Sequence, residues 1–463
     1  MLKKKQPNIL LIVTDQQNID TITAYREYFP DQASGPHHVR TPNLDKLVRG
    51  GRSFLLSHSA NPVSCPARAS LFTGHYATGH GVTYNNIGID KTIPNLGQWL
   101  SEHSDYRCFY AGKWHAGGAW NYPALSGNRK IPGFETIPIG EFALGEHNDY
   151  QVSTAVKSFL EDESNETPFF LVAGLMNPHD ICFWTKGLRG NVLVPDSELL
   201  LAEEEYPPLP PNHSYAFTEP KQLAQTRQKG SEIYWKNYAY DYYRMVEKMD
   251  LDVGRILQAL ENRHDDTVLI FTSDHGEGLG RHSRVQKWHP YDQSVKVPLI
   301  FYAPGYIDQG IDQKNLVSGV DLFPTVCDIA GVEIPENVDG VSLMPLLRWR
   351  GDLKRDYIIA EFMHTGRVVR THRYKYVKMY RFSGEPDAPF VRKSDGGHEA
   401  FCPGCGDAYE DDPVRLLFDM QDDPWECKNL AEDPRSEKIM ARMETMLRKW
   451  EEKITVGKHY DRN

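Results

Sequence analysis

Apolar runs that alternate with amphipathic segments constrain the fold of this chain most strongly. Asn8–Val13 (NILLIV) and Phe169–Ala173 (FFLVA) are almost wholly apolar, as in strands that are buried on both faces. The pattern predicts further strands over Cys108–Ala111, Val268–Thr272 and Leu299–Tyr302, and helices over Pro42–Val48, Ile93–Glu102, Tyr150–Glu161 and Ser231–Glu261. This alternation predicts an α/β fold with a large, mostly parallel central sheet covered by helices on both faces, and catalytic groups at the carboxyl ends of the strands.

The character of the sequence changes after about Pro345. Tyr357–Glu361, Arg367–Thr371 and Tyr374–Lys378 read as short antiparallel strands, and Ser436–Lys453 reads as a final helix. We therefore predict a catalytic α/β domain over residues 1–350 and a smaller C-terminal subdomain over residues 351–463, with a short antiparallel sheet and the terminal helix.

Composition and charge exclude several classes of partner. The chain has 463 residues, 40% of them hydrophobic, and a net charge of −11, which argues against nucleic acid as a partner. The sequence contains no run of about eighteen apolar residues, so we expect no membrane span. The apolar segment after Met1–Lys5 is too short for a signal peptide, so we expect a cytoplasmic chain as given, or a periplasmic one if a signal has been removed. Seven scattered cysteines do not suggest a disulfide framework.

Two long polar segments interrupt the pattern. Trp184–Gly230 is proline-rich and Arg381–Asp412 is glycine-rich, and loops of this length in a compact domain are often lids or binding loops. We expect one of them to line the mouth of a pocket. Cys402 and Cys405 form a CxxC pair that is compatible with half a zinc site together with His398, with a disulfide, or with a turn that carries two thiols.

One stretch, Asn61–Tyr76 (NPVSCPARASLFTGHY), carries the densest chemistry. Pro66 suits the first turn of a helix, Ser64 falls near its N-cap, and Thr73-Gly74 ends it. A small nucleophile at a helix N-terminus with Arg68 one turn later suits an anion site, but an ordinary capped helix fits the local pattern equally well.

Other candidate residues follow predicted strands, where parallel strands bring their carboxyl ends together. Two carboxylates at strand ends can share a cation, although an aspartate there is more often a helix cap, and single loop cations are usually solvated. The candidates are Asp15 and Gln16 after the first strand, Lys113 and His115 after Cys108–Ala111, His179 after Phe169–Ala173, Asp274 and His275 after Val268–Thr272, and Lys287 in the following loop.

These motifs resemble those of the type I sulfatases of the alkaline phosphatase superfamily. The family signature is Cys or Ser, then x-Pro-x-Arg, and reading from Ser64 gives S-C-P-A-R, whereas reading from Cys65 places Pro66 one position too early. The resemblance implies an alkaline-phosphatase-like sandwich fold and a maturase that oxidises Ser64 to formylglycine. The hydrate of that aldehyde attacks sulfur, and its second hydroxyl expels sulfate by re-forming the carbonyl.

The same resemblance implies roles for the other motifs. The family's motifs are matched by Gly-Lys-Trp-His at 112–115, Pro-His at 178–179 and the segments Val320–Val332 and Leu416–Ala431. Lys287 matches the lysine of the family's Gly-Lys-x-x-x-Tyr-Glu stretch, although Gln286 replaces the glycine of that stretch. The implied metal ligands are Asp15, Gln16, Ser64, Asp274 and His275. Calcium is the first candidate for the ion, with manganese or magnesium possible. The implied catalytic residues are Ser64, Arg68, Lys113, His115, His179 and Lys287, with His179 or Lys287 as the general acid and His115 assisting sulfate release.

Three functions remain compatible with the sequence. The first is a sulfatase acting on a small-molecule or oligosaccharide sulfate ester. The second is a phosphonate or phosphodiester monoester hydrolase of the same superfamily, and the third is a non-catalytic sulfate-binding relative in which Ser64 stays unmodified. Polar and aromatic residues in the two long segments favour a sulfated, acidic saccharide. These residues are Trp184, Lys186, Arg189, His213, Tyr215, Arg381, Arg392, Lys393 and His398.

Overall fold

The structure is a computed structural model that places most of the chain. It describes residues 6–29, 38–117, 130–140, 144–162, 167–184, 206–214, 219, 221–224, 227–263, 266–348, 351–362, 366–379, 391–392, 398–399 and 413–456. Among these residues, no helix combines the length and the apolar character needed to cross a membrane.

Sixteen strands are present in the described ranges. They are β1 Asn8–Asp15, β2 Arg52–Phe54, β3 Ser57–His58, β4 Arg107–Gly112, β5 Glu135–Thr136, β6 Phe169–Pro178, β7 Thr267–Ser273, β8 Leu299–Tyr302, β9 Gly310–Asp312, β10 Val317–Ser318, β11 Ile358–Phe362, β12 Gly366–Arg370, β13 Tyr374–Met379, β14 Val391–Arg392, β15 His398–Glu399 and β16 Val414–Asp419.

An eight-stranded sheet forms the centre of the molecule, in the order β5-β4-β6-β1-β7-β8-β2-β9. The pairs β5-β4, β4-β6, β6-β1 and β1-β7 are parallel, and β8 runs antiparallel to both β7 and β2. The predicted large, mostly parallel sheet is therefore confirmed. β1 lies at its centre with β6 and β7 on either side, and its residues are apolar on both faces because helices pack on both.

Helices cover both faces of this sheet. The helices in the described ranges, including those that pack on the second sheet, are α1 Pro42–Gly50, α2 Ser64–Thr73, α3 Ala77–His80, α4 Leu96–His103, α5 Gly145–Glu161, α6 Ile181–Trp184, α7 Lys221–Ala224, α8 Glu232–Glu261, α9 Asp292–Val295, α10 Leu322–Ala330, α11 Met344–Leu347 and α12 Glu437–Val456. Short 3-10 turns occupy Ile19–Thr21, Thr23–Tyr28, Arg281–Ser283, Gly319–Asp321 and Pro434–Ser436.

Alternate residues of β1 pack into two separate cores. Leu10 and Ile12 join the core built with α1, α5 and α8, whereas Ile9, Leu11 and Val13 join the core built with α2, α4 and α10. This alternation follows from the two-residue period of a strand, and it produces the three-layer α/β/α arrangement.

A four-stranded antiparallel sheet, in the order β11-β12-β13-β16, follows the central domain. One face packs on α12 and on Ala60 and Tyr76, and the other packs on Tyr291 and Val295 of the central domain. The sequence predicts β11 to β13 to within about a residue but misses β16. The reason is that VRLLFD has buried apolar residues on both faces and lacks a clear alternation. The division of the chain at residue 350 stays a prediction, and the second sheet begins at Ile358.

Candidate active site

Four neighbouring parallel strands end at the same edge of the central sheet. Their order is β4, β6, β1 and β7, and the chain continues from them into Lys113, His179, Gln16 and Asp274. Parallel pairing therefore brings together residues that lie up to 258 positions apart, as in the hydrogen bond from the Gln16 N–H to Asp274 Oδ1 (3.1 Å). Candidate residues from all four strand ends converge here, as the sequence predicts for an α/β fold.

The helix α2 supplies the candidate nucleophile from above this edge. Ser64 is its first helical residue, Val63 occupies the N-cap without a side-chain cap, and Gly74 ends the helix with φ 71°. Ser64 thus lies one position further into the helix than the sequence predicts. Val63 cannot cap the helix with its side chain, and the first-turn Cys65 N–H donates to Asn85 Oδ1 (3.2 Å) instead. All ten residues of α2 are buried, which fixes the position of the serine.

Ser64 lies beside atoms of His275 and Asp15 that could bind a metal ion. Its Oγ lies 2.9 Å from His275 Nε2 and 3.5 Å from Asp15 Oδ1. The Nδ1–H of His275 donates to the Gly276 carbonyl (3.0 Å), which leaves Nε2 with a free lone pair on the side of Ser64. This tautomer is the one that a metal-binding imidazole adopts.

Two buried cations compensate the two carboxylates. Lys113 Nζ lies 2.6 Å from Asp15 Oδ2, and the Arg68 guanidinium contacts both Asp274 Oδ2 (2.8 Å) and Asp15 Oδ2 (3.3 Å). Arg68 also donates to the carbonyls of Lys113 (3.1 Å) and Thr14 (3.3 Å). Its donors are thus directed at protein atoms, so Arg68 orients the carboxylates.

The remaining oxygen and nitrogen atoms fit a divalent cation. Asp15, Asp274 and His275 each offer one ligand atom, and these atoms lie within 4.8 Å of one another. His275 Nε2 is 3.8 Å from Asp15 Oδ1 and 3.7 Å from Asp274 Oδ1. Such spacing suits atoms that share one ion at metal–oxygen distances of about 2.0–2.6 Å. Two carboxylates and one imidazole are compatible with calcium, magnesium or manganese.

Gln16 and Lys287 form the next part of the site. Gln16 adopts a left-handed backbone (φ 72°), and its side-chain Oε1 accepts a hydrogen bond from Lys287 Nζ at 2.6 Å. The Gln16 amide nitrogen donates to Glu277, a fully buried carboxylate. Gln16 therefore lies beside the three donors, and its role as a metal ligand stays a prediction.

Glu277 is a residue of the site that the motif analysis misses. Its carboxylate accepts hydrogen bonds from Gln16, from Tyr238 OH (2.9 Å), and from the backbone N–H groups of Leu279 (3.2 Å) and Gln286. It thereby joins the end of β1, the helix α8 and the loop that carries Lys287. The available signal was a glutamate two residues after His275 in an otherwise small, apolar turn (GEGLG).

Two histidines complete the set of predicted residues. His115 and His179 each have a buried Nδ1 with no hydrogen-bond partner among the described residues. Burial, followed by the charge of Lys113, lowers the pKa of His115 to about 3 and places the pKa of His179 well below its usual value. Unpartnered imidazole atoms beside lysines suit a site that receives an anionic ligand.

The two carboxylates are held in different protonation regimes. Burial opposes ionisation of Asp15, but Lys113, His179 and Arg68 outweigh it and place its pKa well below the usual value. Burial and the neighbouring Asp15 raise the pKa of Asp274 to about 6, although Arg68 opposes the shift. A pair of buried carboxylates that repel one another is what a divalent cation would relieve.

Cys65 does not share the environment of Ser64. Its thiol packs on Ala69 and Val82 and donates to the Ile87 carbonyl (3.7 Å). Burial raises the pKa of Cys65 to about 12, so its thiol stays protonated at neutral pH. The geometry therefore agrees with Ser64 as the nucleophile position.

Parts of the two long segments lie among the described residues. Trp184 is buried in the core, where its ring packs on Tyr234 (4.9 Å) and Tyr238 (5.3 Å) and its N–H donates to Asp241. His213 donates to the Gly280 carbonyl (2.8 Å) and packs on Trp235. Arg392 and His398 fall in the short strands β14 and β15, which pair with each other. Lys186, Arg189, Tyr215, Arg381, Lys393, Cys402 and Cys405 lie outside the described residues.

The fold and the site together define a hydrolase of the alkaline phosphatase superfamily. The sequence profile of the Sulfatase family matches residues 7–332, and that of the C-terminal part of N-sulphoglucosamine sulphohydrolase matches residues 280–387. The chain belongs to the Sulfatase family and is a sulfuric ester hydrolase, which confirms the resemblance seen in the sequence.

Known proteins similar to this chain include two sulfatases and a phosphonate monoester hydrolase. A Delta 4,5-hexuronate-2-O-sulfatase of Bacteroides thetaiotaomicron is 27% identical over 96% of this chain and 88% of its own length. The solved structure of a 2-O GAG sulfatase is 26% identical, covers 98% of this chain and 93% of its own, and superimposes with a TM-score of 0.74. The phosphonate monoester hydrolase of Agrobacterium radiobacter is 22% identical, covers 97% and 96% of the two chains, and shares the fold with a TM-score of 0.72.

Proposed function

We propose that this protein hydrolyses a sulfate ester on a sulfated, acidic saccharide, with a formylglycine made from Ser64 and one divalent cation. The observation that carries the proposal is the convergence of Ser64 Oγ, His275 Nε2 and Asp15 Oδ1 within 2.9–3.8 Å of one another, next to Lys113. A nucleophile, a metal-type donor set and an anion-binding cation thereby lie in one buried site.

The chain's residues fit both groups that the family implies. Asp15, Asp274 and His275 would hold the cation, with Gln16 as the proposed fourth side-chain ligand, and the ion would supply positive charge beside residue 64. We propose calcium as the resident ion, with manganese or magnesium as substitutes. A formylglycine hydrate would supply two hydroxyls on one carbon, one to take the sulfuryl group and one to release sulfate.

Lys113 and Lys287 are the proposed binders of the sulfate oxygens. Lys113 Nζ is 1% exposed, so its charge acts in a region of low dielectric where it stabilises an anion strongly. Lys287 is 6% exposed and is held by Gln16 on the other side of the site. Charge that builds up on the sulfuryl oxygens would therefore meet two fixed ammonium groups.

His179 is the proposed general acid for the leaving alcohol. Its depressed pKa keeps it neutral in the ligand-free enzyme at pH 7. An anionic sulfate ester bound beside it would favour the protonated imidazole, because a nearby negative charge raises the pKa of a histidine. Protonation would thus be coupled to substrate binding. His115 is proposed to assist the release of sulfate as a base, a role that suits its neutral form.

The saccharide part of the proposal rests on the relatives. The hexuronate-2-O-sulfatase and the 2-O GAG sulfatase match nearly the whole chain, so their similarity includes the segments around the site as well as the core motifs. A hexuronate substrate carries a carboxylate in addition to the sulfate, so its recognition would require positive charge beyond the groups that bind the sulfate. We therefore propose a 2-O-sulfated hexuronate as the first substrate to test.

The experiment compares one pair of esters that differ in the transferred group and a second pair that differ in the position of the sulfate. Sulfate and phosphonate monoesters of one phenol, and a 2-O-sulfated unsaturated hexuronate disaccharide with its 6-O-sulfated counterpart, are assayed with protein matured in a host that contains a formylglycine-generating maturase. We expect turnover of the sulfates to exceed that of the phosphonate by at least about 100-fold in kcat/KM. Faster turnover of the phosphonate would instead identify the second candidate, which the shared fold with the Agrobacterium radiobacter enzyme keeps in view.

A further inference from the structure

An aromatic pair beside the active site has no part in the chemistry described above. The rings of Tyr84 and Trp288 lie with their centroids 4.9 Å apart and their planes inclined by 38°. Both side chains are half-buried, so each ring keeps part of its surface open. Tyrosine and tryptophan combine a large apolar face with a polar edge, which is the combination that a sugar ring requires.

Trp288 is attached to the catalytic lysine loop in a strained conformation. It follows Lys287 directly and has φ 82°, and Gln286 on the other side of the lysine has φ 63°. A bulky side chain disfavours the left-handed region, and such strain persists only where the surrounding structure imposes it, which is common at functional sites. Here Glu277 accepts the Gln286 N–H, and the Gly278 N–H donates to the Gln286 carbonyl (2.7 Å). The loop is thus locked with Trp288 next to Lys287.

The loop that carries Tyr84 contacts the start of α2. Its neighbour Asn85 accepts a hydrogen bond from the Cys65 N–H (3.2 Å) through the side-chain Oδ1. The Cys65 thiol donates in turn to the Ile87 carbonyl (3.7 Å). The loop that carries Tyr84 is therefore fixed to the first turn of α2, one residue from Ser64.

The contact between the two rings therefore joins the lysine loop to the loop that contacts the start of α2. A sulfate held by Ser64 and Lys287 would have its carbon skeleton on the side away from the buried ion pairs, because Asp15, Asp274, Lys113 and Arg68 contact one another and are almost wholly buried. The ring of the substrate would then lie near the segments that border these ion pairs, and two of those segments carry the packed rings of Tyr84 and Trp288.

We propose that Tyr84 and Trp288 form a stacking platform for the apolar face of the pyranose that bears the sulfate. The platform rests on the proposed saccharide function and adds its specificity determinant. The sulfate site would bind the anion, and the platform would contact the C–H face of the sugar ring. Trp288 contributes the larger area, so it is expected to carry the larger share of the binding.

Binding measured in a catalytically silent background tests the platform without turnover. In Ser64→Ala protein, calorimetry would give the affinities of the 2-O-sulfated hexuronate disaccharide and of inorganic sulfate, before and after adding Trp288→Ala, Trp288→Phe or Tyr84→Ala. Trp99→Ala is the matched control, because Trp99 is also half-buried but belongs to α4 and donates to the Glu333 carbonyl (2.9 Å). We expect Trp288→Ala to weaken the disaccharide about tenfold, Trp288→Phe and Tyr84→Ala about threefold, and Trp99→Ala hardly at all.

Inorganic sulfate separates stacking from damage to the anion site. Its affinity should stay within about twofold in every variant if the aromatic rings bind only the sugar. Equal disaccharide affinity in the Trp288→Ala protein, parallel losses for sulfate and disaccharide, or no disaccharide binding by the Ser64→Ala parent would each overturn the platform. Turnover of the disaccharide by wild-type protein reports the proposed function independently. Loss of that turnover with Trp288-dependent binding intact would overturn the function and leave the platform standing.

Discussion

Two buried charge clusters in this molecule look alike electrostatically but differ in what their atoms face. The active-site cluster contains Asp15, Arg68, Lys113, Asp274 and His275. The junction cluster contains Asp292 of α9, Lys375 of β13 and Glu426, and it lies where the central domain meets the second sheet. In each cluster the carboxylates are almost wholly buried or paired with a buried lysine.

The titration behaviour of the two clusters does not distinguish them. In the junction cluster burial opposes ionisation of Asp292, but Lys375 and Arg370 outweigh it and hold its pKa far below the usual value. Burial raises the pKa of Glu426 to about 7, with Lys375 opposing the shift. Asp15 and Asp274 show the same division into one depressed and one elevated pKa. A perturbed pKa alone therefore does not identify the catalytic site.

The difference lies in how the atoms are paired. In the junction cluster Lys375 Nζ contacts Asp292 Oδ1 (2.8 Å) and Glu426 Oε1 (2.7 Å), and the Asp292 N–H donates to Glu426 Oε2 (2.7 Å). These contacts close on one another and fix α9 against β13. In the active-site cluster three donor atoms instead converge toward a common point beside Ser64. Convergent donors indicate chemistry, whereas mutually paired ones indicate a structural joint.

Removal of the Ser64 hydroxyl should produce the largest loss of activity, whereas a change at the neighbouring Cys65 should have little effect. Ser64→Ala is expected to lower kcat/KM for a sulfate ester by about 10⁴-fold or more, because no nucleophile remains. Cys65→Ala is the adjacent control and should stay within about threefold, since the thiol lies in a closed apolar contact. The opposite ranking in a steady-state assay would place the nucleophile at Cys65.

Neutralising one carboxylate of the active-site cluster should produce the second-largest loss of activity. Asp274→Asn is expected to reduce kcat about 10³-fold, because it removes a proposed metal ligand and the partner of Arg68 Nε. Thermal unfolding checks that the fold survives. Activity within tenfold of wild type would remove Asp274 from the catalytic set.

Metal removal tests whether the convergent atoms of the active-site cluster hold an ion. Dialysis against a chelator should lower activity about 100-fold, and calcium, manganese and magnesium are then added back separately to identify the ion. We expect calcium to restore the most activity. Full activity in a preparation shown by elemental analysis to be metal-free would contradict a metal site at Asp15, Asp274 and His275.

Glu277 connects the cluster to its supporting elements, so its substitution should have an intermediate effect. Glu277→Gln keeps the shape but loses the charge that accepts four hydrogen bonds, and we expect kcat/KM to fall about tenfold. Tyr238→Phe removes a single donor to the same carboxylate and should cost about threefold. Equal effects of the two changes would show that the carboxylate itself does not position Gln16 and the Lys287 loop.

The junction cluster should show the smallest change in activity and the clearest change in stability. Lys375→Met leaves Asp292 and Glu426 buried without their common cation, which is expected to cost about 3–5 kcal/mol of folding stability. Activity per folded molecule should stay within about twofold. Lys378→Met on the same strand breaks a partly exposed pair with Glu444 and should cost about 1 kcal/mol or less. If Lys375→Met instead lowered the activity per folded molecule by much more than twofold, the junction cluster would be part of the active site.

The sequence predicts the active-site cluster better than the junction cluster for a physical reason. Ser64, Lys113, His179 and Asp274 each sit at a strand or helix end within a short motif, and parallel pairing makes such ends converge. The sheet itself follows from apolar runs such as that of β1. By contrast, Lys375 alternates with apolar residues in β13 and reads as a solvent-facing position until the second sheet is packed.

Long-range packing also explains the other misses. Trp184 begins a polar segment, but it is buried by α8, whose Asp241 lies 57 residues further along the chain. The antiparallel direction of β8 depends on pairing with β7 and β2, which no local pattern records. The importance of Glu277 comes from partners at positions 16, 238 and 286.

The mass of the peptide that contains Ser64 tests the central claim most directly. Protein that hydrolyses a sulfate ester, purified from a host with a formylglycine-generating maturase, is digested and analysed by tandem mass spectrometry. The account predicts that residue 64 is lighter than serine by two hydrogens, that the aldehyde reacts with a hydrazide, and that activity rises in proportion to the modified fraction. Sulfate-ester turnover by protein in which Ser64 is entirely unmodified serine would contradict it.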